Sequence, residues 1–519
     1  MPFLLHAESL SPARALPHDS VREPSAEAAR ERRRALLHRY WQPAFWLVVV
    51  GSIGTTLVLL YPDSSSADGA THFLQARWAW AAGHRSLLVD VWGRPLFTVT
   101  YSLAASLGYR AAKLFTVLVA LACAWETWRV AKLLNFGRAA LVIPLLFLQP
   151  TFLGVTPETM TEPLFGLVFI LALRLYLEDR VGAGALVASL LPLARPEGPF
   201  LVALWGVWIL LDRRLSPQWW RRIPITFYLA FGMLLWWLVA LAITHDPLWI
   251  RHNAPWKLTS PTASHGSFWN YWNMRWEILG PVLWRVVVVG MLALLVQRRA
   301  LKVVSAVLVI FLLHSIMWAK GLMNTEGFPR YISCVAPAIA LITLAGWNFF
   351  ADALSWILRL LGAARVQRAA IAVLSAVVLL RSAWYALTYV DGQEGSRAAW
   401  AMNDSYEWFR AHPRPVRELA WSRPYMAVLF DWDIWRNLPW TDDRAHNLAL
   451  LRAAPSGTLL FWDDATGPDW YHVTASDFAA TGFERLRSAS YDLYPLLRRE
   501  SWDHGPGPRR EGMHLFYKE

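Results

Sequence analysis

The sequence predicts a polytopic α-helical membrane protein of about eleven transmembrane helices, followed by a small C-terminal α/β domain. Three observations carry that prediction. Hydrophobic residues fill 55% of the 519 positions and charged residues only 17%, where soluble globular proteins carry about 25%. Thirty-two residues are tryptophan, which favours the two membrane–water interfaces. Apolar runs recur through the first 390 residues, several of them near the roughly 20 residues that cross a bilayer. This composition excludes a soluble enzyme, a disordered chain and a disulfide-stapled secreted module.

Net charge is +12, but it is unevenly spread. From Asp391 to Glu519, 19 acids face 15 Lys and Arg, which leaves an excess of +16 on the first 390 residues. That excess sits mostly in short loops between apolar runs, so it marks topology and not a nucleic-acid surface. Cys123 and Cys334 lie in apolar runs with no metal or redox spacing.

Residues 1–40 are polar and end in Arg30, Arg32, Arg33, Arg34 and Arg39, too long and polar a stretch for a cleaved signal peptide. They read as a cytoplasmic segment. The first span runs from Trp41 to Tyr61. Further apolar runs fall near 111–134, 139–155, 161–178, 182–194, 198–211, 223–244, 281–296, 303–319, 330–350 and 369–390. With the N-terminus inside, the inner loops are Asn135–Arg138, Glu178–Arg180, Asp212–Arg222, Gln297–Lys302 and Ala351–Arg368. They hold Arg213, Arg214, Arg221, Arg222, Arg298, Arg299, Lys302, Arg359, Arg365 and Arg368, as the positive-inside rule requires.

Residues 41–390 thus form the transmembrane domain, with outer loops at 62–110 and 245–280, and residues 391–519 form an extracytoplasmic domain. In the first outer loop Ala67–Ala82 has amphipathic helical spacing, and Pro95–Gly108 reads as a short apolar helix. The second is rich in tryptophan (Trp249, Trp256, Trp269, Trp272, Trp276). In the tail, Gly457–Trp462 reads as a buried strand, Ala475–Leu486 as a helix and His514–Tyr517 as a closing strand.

The ionisable residues that need an explanation share one side of the membrane. Asp68, His72, Asp90, Arg94, Glu158, Glu162, Arg195, Glu197, His252, Lys320 and Arg330 all sit at outer span ends or in outer loops. A charge at membrane depth costs about 2.5–3.5 kcal/mol on insertion scales, so a convergent set marks a candidate site. Asp68 and His72, four apart, share a helix face and can hold a hydroxyl proton between them; alternatively Ser66 or Asp68 caps that helix. In Thr156-Pro-Glu-Thr-Met-Thr-Glu-Pro163, a Thr cap, a Pro at the first position and acids in the first turn are also ordinary helix-start chemistry for Glu158 and Glu162. Arg195 and Glu197 have a similar structural alternative, a self-paired kink between two short spans. Arg330 opens a span that enters from outside, where a cation opposes the helix dipole. Arginine beside free backbone N–H groups makes a phosphate site there. Lys320, at the C-terminal end of the preceding span, is electrostatically comfortable without a function.

Taken together these strings resemble the GT-C superfamily of membrane glycosyltransferases, mannosyltransferases and protein-mannosyltransferases among them, which use polyprenyl-phosphate sugars. The resemblance rests on Asp68-Gly-Ala-Thr-His-Phe73 after the first span, Val91-Trp-Gly-Arg-Pro-Leu-Phe97, Thr161-Glu-Pro-Leu-Phe165, Leu193-Ala-Arg-Pro-Glu-Gly198 and Arg330-Tyr331. It covers roughly residues 40–350. It implies an inverting transfer from a polyprenyl-phosphate-linked sugar donor to a hydroxyl of a lipid, glycan or protein acceptor. Asp68 would be the general base, and Arg330, helped by Lys320 or Arg195, would hold the departing phosphate. Glu158 and Glu162 would orient the acceptor or bind sugar hydroxyls, and His72, Arg94, Glu197, His252 and Tyr331 would complete the substrate contacts. Many relatives carry paired acids in the first loop, whereas here Gly69 follows Asp68. Without an acid cluster of ligand spacing, no metal and no other cofactor is expected.

The expected surroundings are membrane lipids, with no nucleic-acid partner, in a bacterial inner membrane with the active face periplasmic. Two other readings compete. A transporter or lipid flippase predicts repeat symmetry and polar residues at mid-membrane; a non-catalytic scaffold would keep the fold and bind a partner through the tail.

Overall fold

The structure is a computed structural model that describes residues 26–61, 66–254, 265–323, 325–391, 394–433, 437–464, 467–493 and 509–519. The polar segment 1–25, the side chains of the basic run 30–39, and Trp256 of the outer aromatic loop lie outside the described residues. In chain order the principal helices are α1 (Ala26–Leu60), α2 (Ala67–Trp78), α3 (Pro95–Ser106), α4 (Tyr109–Leu133), α5 (Glu162–Leu177) and α6 (Gly198–Leu211). They continue as α7 (Phe231–Thr244), α8 (Arg275–Val296), α9 (Leu301–Lys320), α10 (Ala336–Leu360), α11 (Gln367–Asp391) and α12 (Glu394–Ala411).

Among the described residues, seven segments are long and apolar enough to cross a membrane unaided: Tyr40–Leu60, Tyr109–Leu133, Trp219–Thr244, Arg275–Val296, Leu301–Lys320, Pro329–Leu360 and Ala364–Val390. The other four apolar runs are helical but short. Pro144 and Pro150 fall in the run 139–155, which breaks into Val142–Phe147 and Pro150–Val155. Pro192 similarly follows the break between Val181–Ala188 and Leu191–Ala194. A ring in place of an N–H stops an intrahelical bond, so each break is local chemistry. α5 has only 16 residues and is buried nearly all round, as a helix enclosed by other helices should be.

Close helix packing depends on small residues. α8 crosses α10 at Gly290 and Gly346: a Cβ on Gly290 would lie 2.0 Å from the Ile342 carbonyl oxygen, and one on Gly346 2.1 Å from that of Val286. Backbones approach this closely in membranes only where side chains are absent. Gly290→Val is therefore expected to lower the melting temperature in detergent, by a destabilisation of about 1–3 kcal/mol or more. An unchanged melting temperature would contradict this helix crossing.

The tail folds as a four-stranded sheet of β1 (Glu418–Trp421), β2 (Thr458–Asp463), β3 (Phe483–Leu493) and β4 (Arg509–Lys518), in the order β1-β2-β4-β3. β1 and β2 are parallel and the other pairs antiparallel. β2 is buried at every position, so its period-two alternation serves two cores. Leu459 and Phe461 pack with α2, α3 and α12, whereas Leu460 and Trp462 pack with Val473, Phe478 and Phe516. The helix expected over 475–486 ends early, at Ala480. Gly482, at φ +89°, turns the chain there, and Phe483 begins β3 beside Lys518.

The outer loop 66–106 is held between these two bodies. Arg77 forms a two-pronged ion pair with Asp431 at 2.6 and 2.7 Å, and His84 Nε2 lies 2.6 Å from an Asp433 oxygen. Phe73, Leu74 and Ala76 of α2 share one buried cluster with Met402, Trp421, Tyr425 and Phe461.

Candidate functional site

Ser66 caps α2, accepting the Gly69 N–H at 3.0 Å, and this settles the choice between Ser66 and Asp68 left by the sequence. The Asp68 carboxylate turns instead to Arg330, which donates to it from the turn Pro329–Val335. This is the central juxtaposition of the site. Burial works against ionising Asp68, but the Arg330 guanidinium outweighs it and holds the carboxyl below its ordinary range.

From this pair a chain of alternating charges runs inward. Arg330 Nη1 is 4.0 Å from Glu162, and Arg195 Nη1 is 2.8 Å from the same carboxylate. Arg195 also donates to Thr161 at 2.8 Å and to both oxygens of Glu197 at 3.1 and 2.9 Å. His314 Nε2 closes the chain 3.2 Å from Glu197 and stacks on Tyr331 at 5.2 Å. The two arginines differ in what they can still do. Arg195 is 7% exposed, and all of its donor nitrogens are engaged. Arg330 is 21% exposed, and its second terminal nitrogen makes looser contacts, with the Met160 sulfur at 3.6 Å and Glu162 at 4.0 Å. Arg330 is therefore the cation able to take a further anion, and Arg195 holds Glu162 and Glu197 in place. Arg195→Met would strand two buried carboxylates and is expected to cost about 3–5 kcal/mol, read as loss of folded protein before any kinetic effect.

Around Asp68 lie three further arrangements. His72 stacks on Trp92 at 4.6 Å and lies 5.1 Å from Phe97; burial pushes its imidazole down to about 3, against the pull of Asp68. Asp90 accepts from the Gly93 N–H at 2.6 Å and from Gln75 at 3.2 Å, and its burial raises its carboxyl pKa. A Cβ on Gly93 would sit 1.8 Å from Gln75 Oε1, so a larger residue there would displace that side chain from Asp90. Arg94 is 4% exposed at φ +64°; burial lowers its guanidinium to about 9, opposed by Glu197. Holding a non-glycine residue at positive φ costs on the order of 1–3 kcal/mol, a strain that clusters at functional sites. Behind α2, Glu158 is 3.7 Å from Lys113 and 3.4 Å from the Tyr109 hydroxyl, and Thr159 donates to the Gly69 carbonyl at 2.6 Å.

The neutral His72 gives a pH signature. Its folded value lies below the ordinary 6.5, so the unfolded chain binds the extra proton as pH falls from about 6.5 towards 3, and stability drops over that window. Melting temperature in detergent is expected to decrease from pH 7 to pH 5, less steeply in His72→Gln. Equal slopes would remove His72 as the cause.

The structure gathers Asp68, His72, Arg94, Glu158, Glu162, Arg195, Glu197, Arg330 and Tyr331 at one rim. Lys320 and His252 stand apart from the charge chain. Lys320 ends α9 exposed, and His252 pairs with Asp246 at 2.8 Å, 56% exposed. The string Thr156–Pro163 does open the fourth span: Thr161 precedes α5, with Glu162 and Pro163 in its first turn, while Glu158 lies in the turn before it and meets Lys113. Lys113 and His314 escaped the sequence reading. Both are buried, at 0% and 2% exposure; His314 is the lone ionisable residue of its apolar run, the signal that finds such residues, whereas Lys113 shares its run with Glu126, Arg129 and Lys132.

No family model matches the chain, and no curated protein matches it by sequence. Its fold is similar to that of ArnT from Cupriavidus metallidurans. The apo crystal structure matches with a TM-score of 0.57 at 13% identity, over 91% of this chain and 98% of that one. The crystal structure of ArnT bound to undecaprenyl phosphate matches at 0.58 and 13% identity, over 91% and 97%. The arabinofuranosyltransferase AftD from Mycobacteria, solved by cryo-electron microscopy, matches at 0.46 and 16% identity, over 91% of this chain and 40% of that one. The chain shares the fold of ArnT over most of its length, and seven of its described segments are long and apolar enough to cross a membrane, in keeping with the multi-pass helical architecture that the sequence predicts.

Proposed function

We propose that this protein is an inverting glycosyltransferase that moves a sugar from a polyprenyl-phosphate donor to an acceptor hydroxyl at the outer rim of the membrane. The observation that carries the reading is the Asp68–Arg330 pair, a carboxylate and a guanidinium with accessible edges, 40% and 21% exposed, at the mouth of an otherwise closed charge network. Inverting transfer needs one group to take a proton and one to receive negative charge, and Asp68 and Arg330 offer the two side by side.

In the proposed step the acceptor oxygen forms a bond to the anomeric carbon and passes its proton to Asp68. The bond from that carbon to the phosphate oxygen breaks, and its electron pair leaves with the lipid phosphate. Arg330 stabilises that leaving charge in a partly dry site, where fixed cations act most strongly. Arrival of the donor phosphate draws Arg330 away from Asp68, and the carboxylate becomes more basic as its partner is lost. The base is thus restrained until the donor is seated. ArnT was solved with undecaprenyl phosphate, and a like-shaped ligand fits this chain's chemistry. A groove of about 770 Å³ between α1 and α4, lined by Leu47, Gly51, Thr55, Val117 and Leu121, offers an apolar path for such a lipid. The step assigns no role to a metal.

Radiolabelled sugar transfer from a panel of polyprenyl-phosphate donors, with source-cell lysate as acceptor, tests the reading. Transfer by wild type that disappears in Asp68→Asn supports it. Absence of transfer from every donor would favour a transporter or scaffold.

A further inference from the structure

We propose that the outer edge of α8 carries a binding site for the phosphate of an anionic phospholipid, built from Arg275, Arg285, Trp272 and Trp284 and separate from the charge chain around Arg330. Gly280 has φ +72° and ψ +170°, so the helix is broken before Pro281. The break divides α8 into a short segment before Gly280 and a longer apolar one after it. Asn270 anchors the approach to the short segment by donating to the Gly327 carbonyl at 2.9 Å. Tyr271 then points inward, 5.8 Å from His314, while Trp272 is 42% exposed.

On that outward side two cations share one ring. The Arg275 guanidinium carbon is 5.2 Å from the Trp284 ring and 5.3 Å from Trp272, and that of Arg285 is 4.8 Å from Trp284. Their protein partners are carbonyls: Arg275 donates to Trp272 at 2.8 Å and Arg285 to Pro281. Among the described residues no carboxylate pairs with either. Two like charges on one indole repel, and an anion at the ring edge would relieve that repulsion; a guanidinium fork matches a phosphate. They also stand on the side opposite the basic loops, where the distribution of positive charge disfavours arginine.

Position identifies the carrier of that phosphate. Arg285, Leu292 and Val296 recur at helical spacing on one face of α8, with Leu292 58% and Val296 83% exposed. The guanidinium pair therefore caps a bare apolar stripe at the level of tryptophan. An anion tethered to hydrocarbon meets both features, whereas a soluble phosphate or an acidic peptide meets only one. The ligand is the bulk anionic phospholipid of the outer leaflet.

The test uses the full chain in nanodiscs of phosphatidylcholine and phosphatidylglycerol in equal parts, with retained lipids counted by native mass spectrometry. Wild type is expected to keep phosphatidylglycerol preferentially. Arg275→Gln/Arg285→Gln should weaken that retention by about five-fold for each arginine removed, and Arg365→Gln at the opposite end should leave it unchanged. Arg275→Lys/Arg285→Lys, which keeps both charges, should retain most of it and replaces the glutamine variant if that fails to fold. Equal retention of the two lipids by wild type, or undiminished retention by the glutamine variant, would overturn the site. Displacement by undecaprenyl phosphate but not by phosphatidylglycerol would overturn the assigned carrier.

Discussion

Asp68→Asn is expected to lower sugar transfer by about 10²–10⁴-fold, the usual contribution of a positioned base, with little change in melting temperature. The two halves of that expectation come from the same geometry. Asparagine keeps the shape and can still accept from Arg330, and an ion pair as open as this one, 40% and 21% exposed, contributes only about 0–1 kcal/mol to stability. What is lost is the ability to hold a proton taken from the acceptor. A variant that melts like wild type yet transfers nothing would place Asp68 in the chemistry. Undiminished transfer by the folded variant would move the base to Glu158, which is held 3.7 Å from Lys113 just behind the same helix.

Arg330→Gln carries the second large effect, in two separable parts. Removing the cation that meets the leaving phosphate is expected to reduce kcat by about 10²–10³-fold, with Arg330→Lys recovering part of the loss because it restores charge without the fork. The other part is a shift in pH dependence. Arg330 holds the Asp68 carboxyl below its ordinary value, so its removal lets that value rise. Transfer requires the ionised form, and the acid limb of the rate profile should therefore move to higher pH in Arg330→Gln. A purely structural role for Arg330 would lower the amount of active enzyme and leave that limb where it was.

Much of this arrangement was legible from composition and spacing. The eleven apolar runs all became helices, and Asp68, Glu162, Arg195, Glu197 and Arg330 could be singled out because charges at span ends are costly. Their pairing was not legible. Asp68 and Arg330 are separated by 262 positions, and nothing local to either says that they meet. Local chemistry was legible at the fourth span, where Thr161, Glu162 and Pro163 open the helix, but not the turn before it that brings Glu158 to Lys113. The short runs 139–155 and 182–211 lost length to prolines, whose positions were visible but whose effect on span number depends on burial by neighbours. Lys113 and His314 were passed over because an apolar run draws attention to its hydrophobic residues and away from the few ionisable ones it holds.

α2 has a mechanical consequence. It carries the proposed base near one end and Arg77 near the other, nine residues and about 14 Å along a straight rod. Its first turn is pinned from below by Thr159, and its last is bolted to Asp431 of the tail. Tilting the tail would therefore swing the carboxylate like the short arm of a lever. A truncated chain ending before Asp391 would leave Phe73, Leu74 and Ala76 without most of the buried cluster they share, and the rod would lose its upper bearing. The region that composition sets apart as a separate domain is thus part of the mount that carries the proposed base.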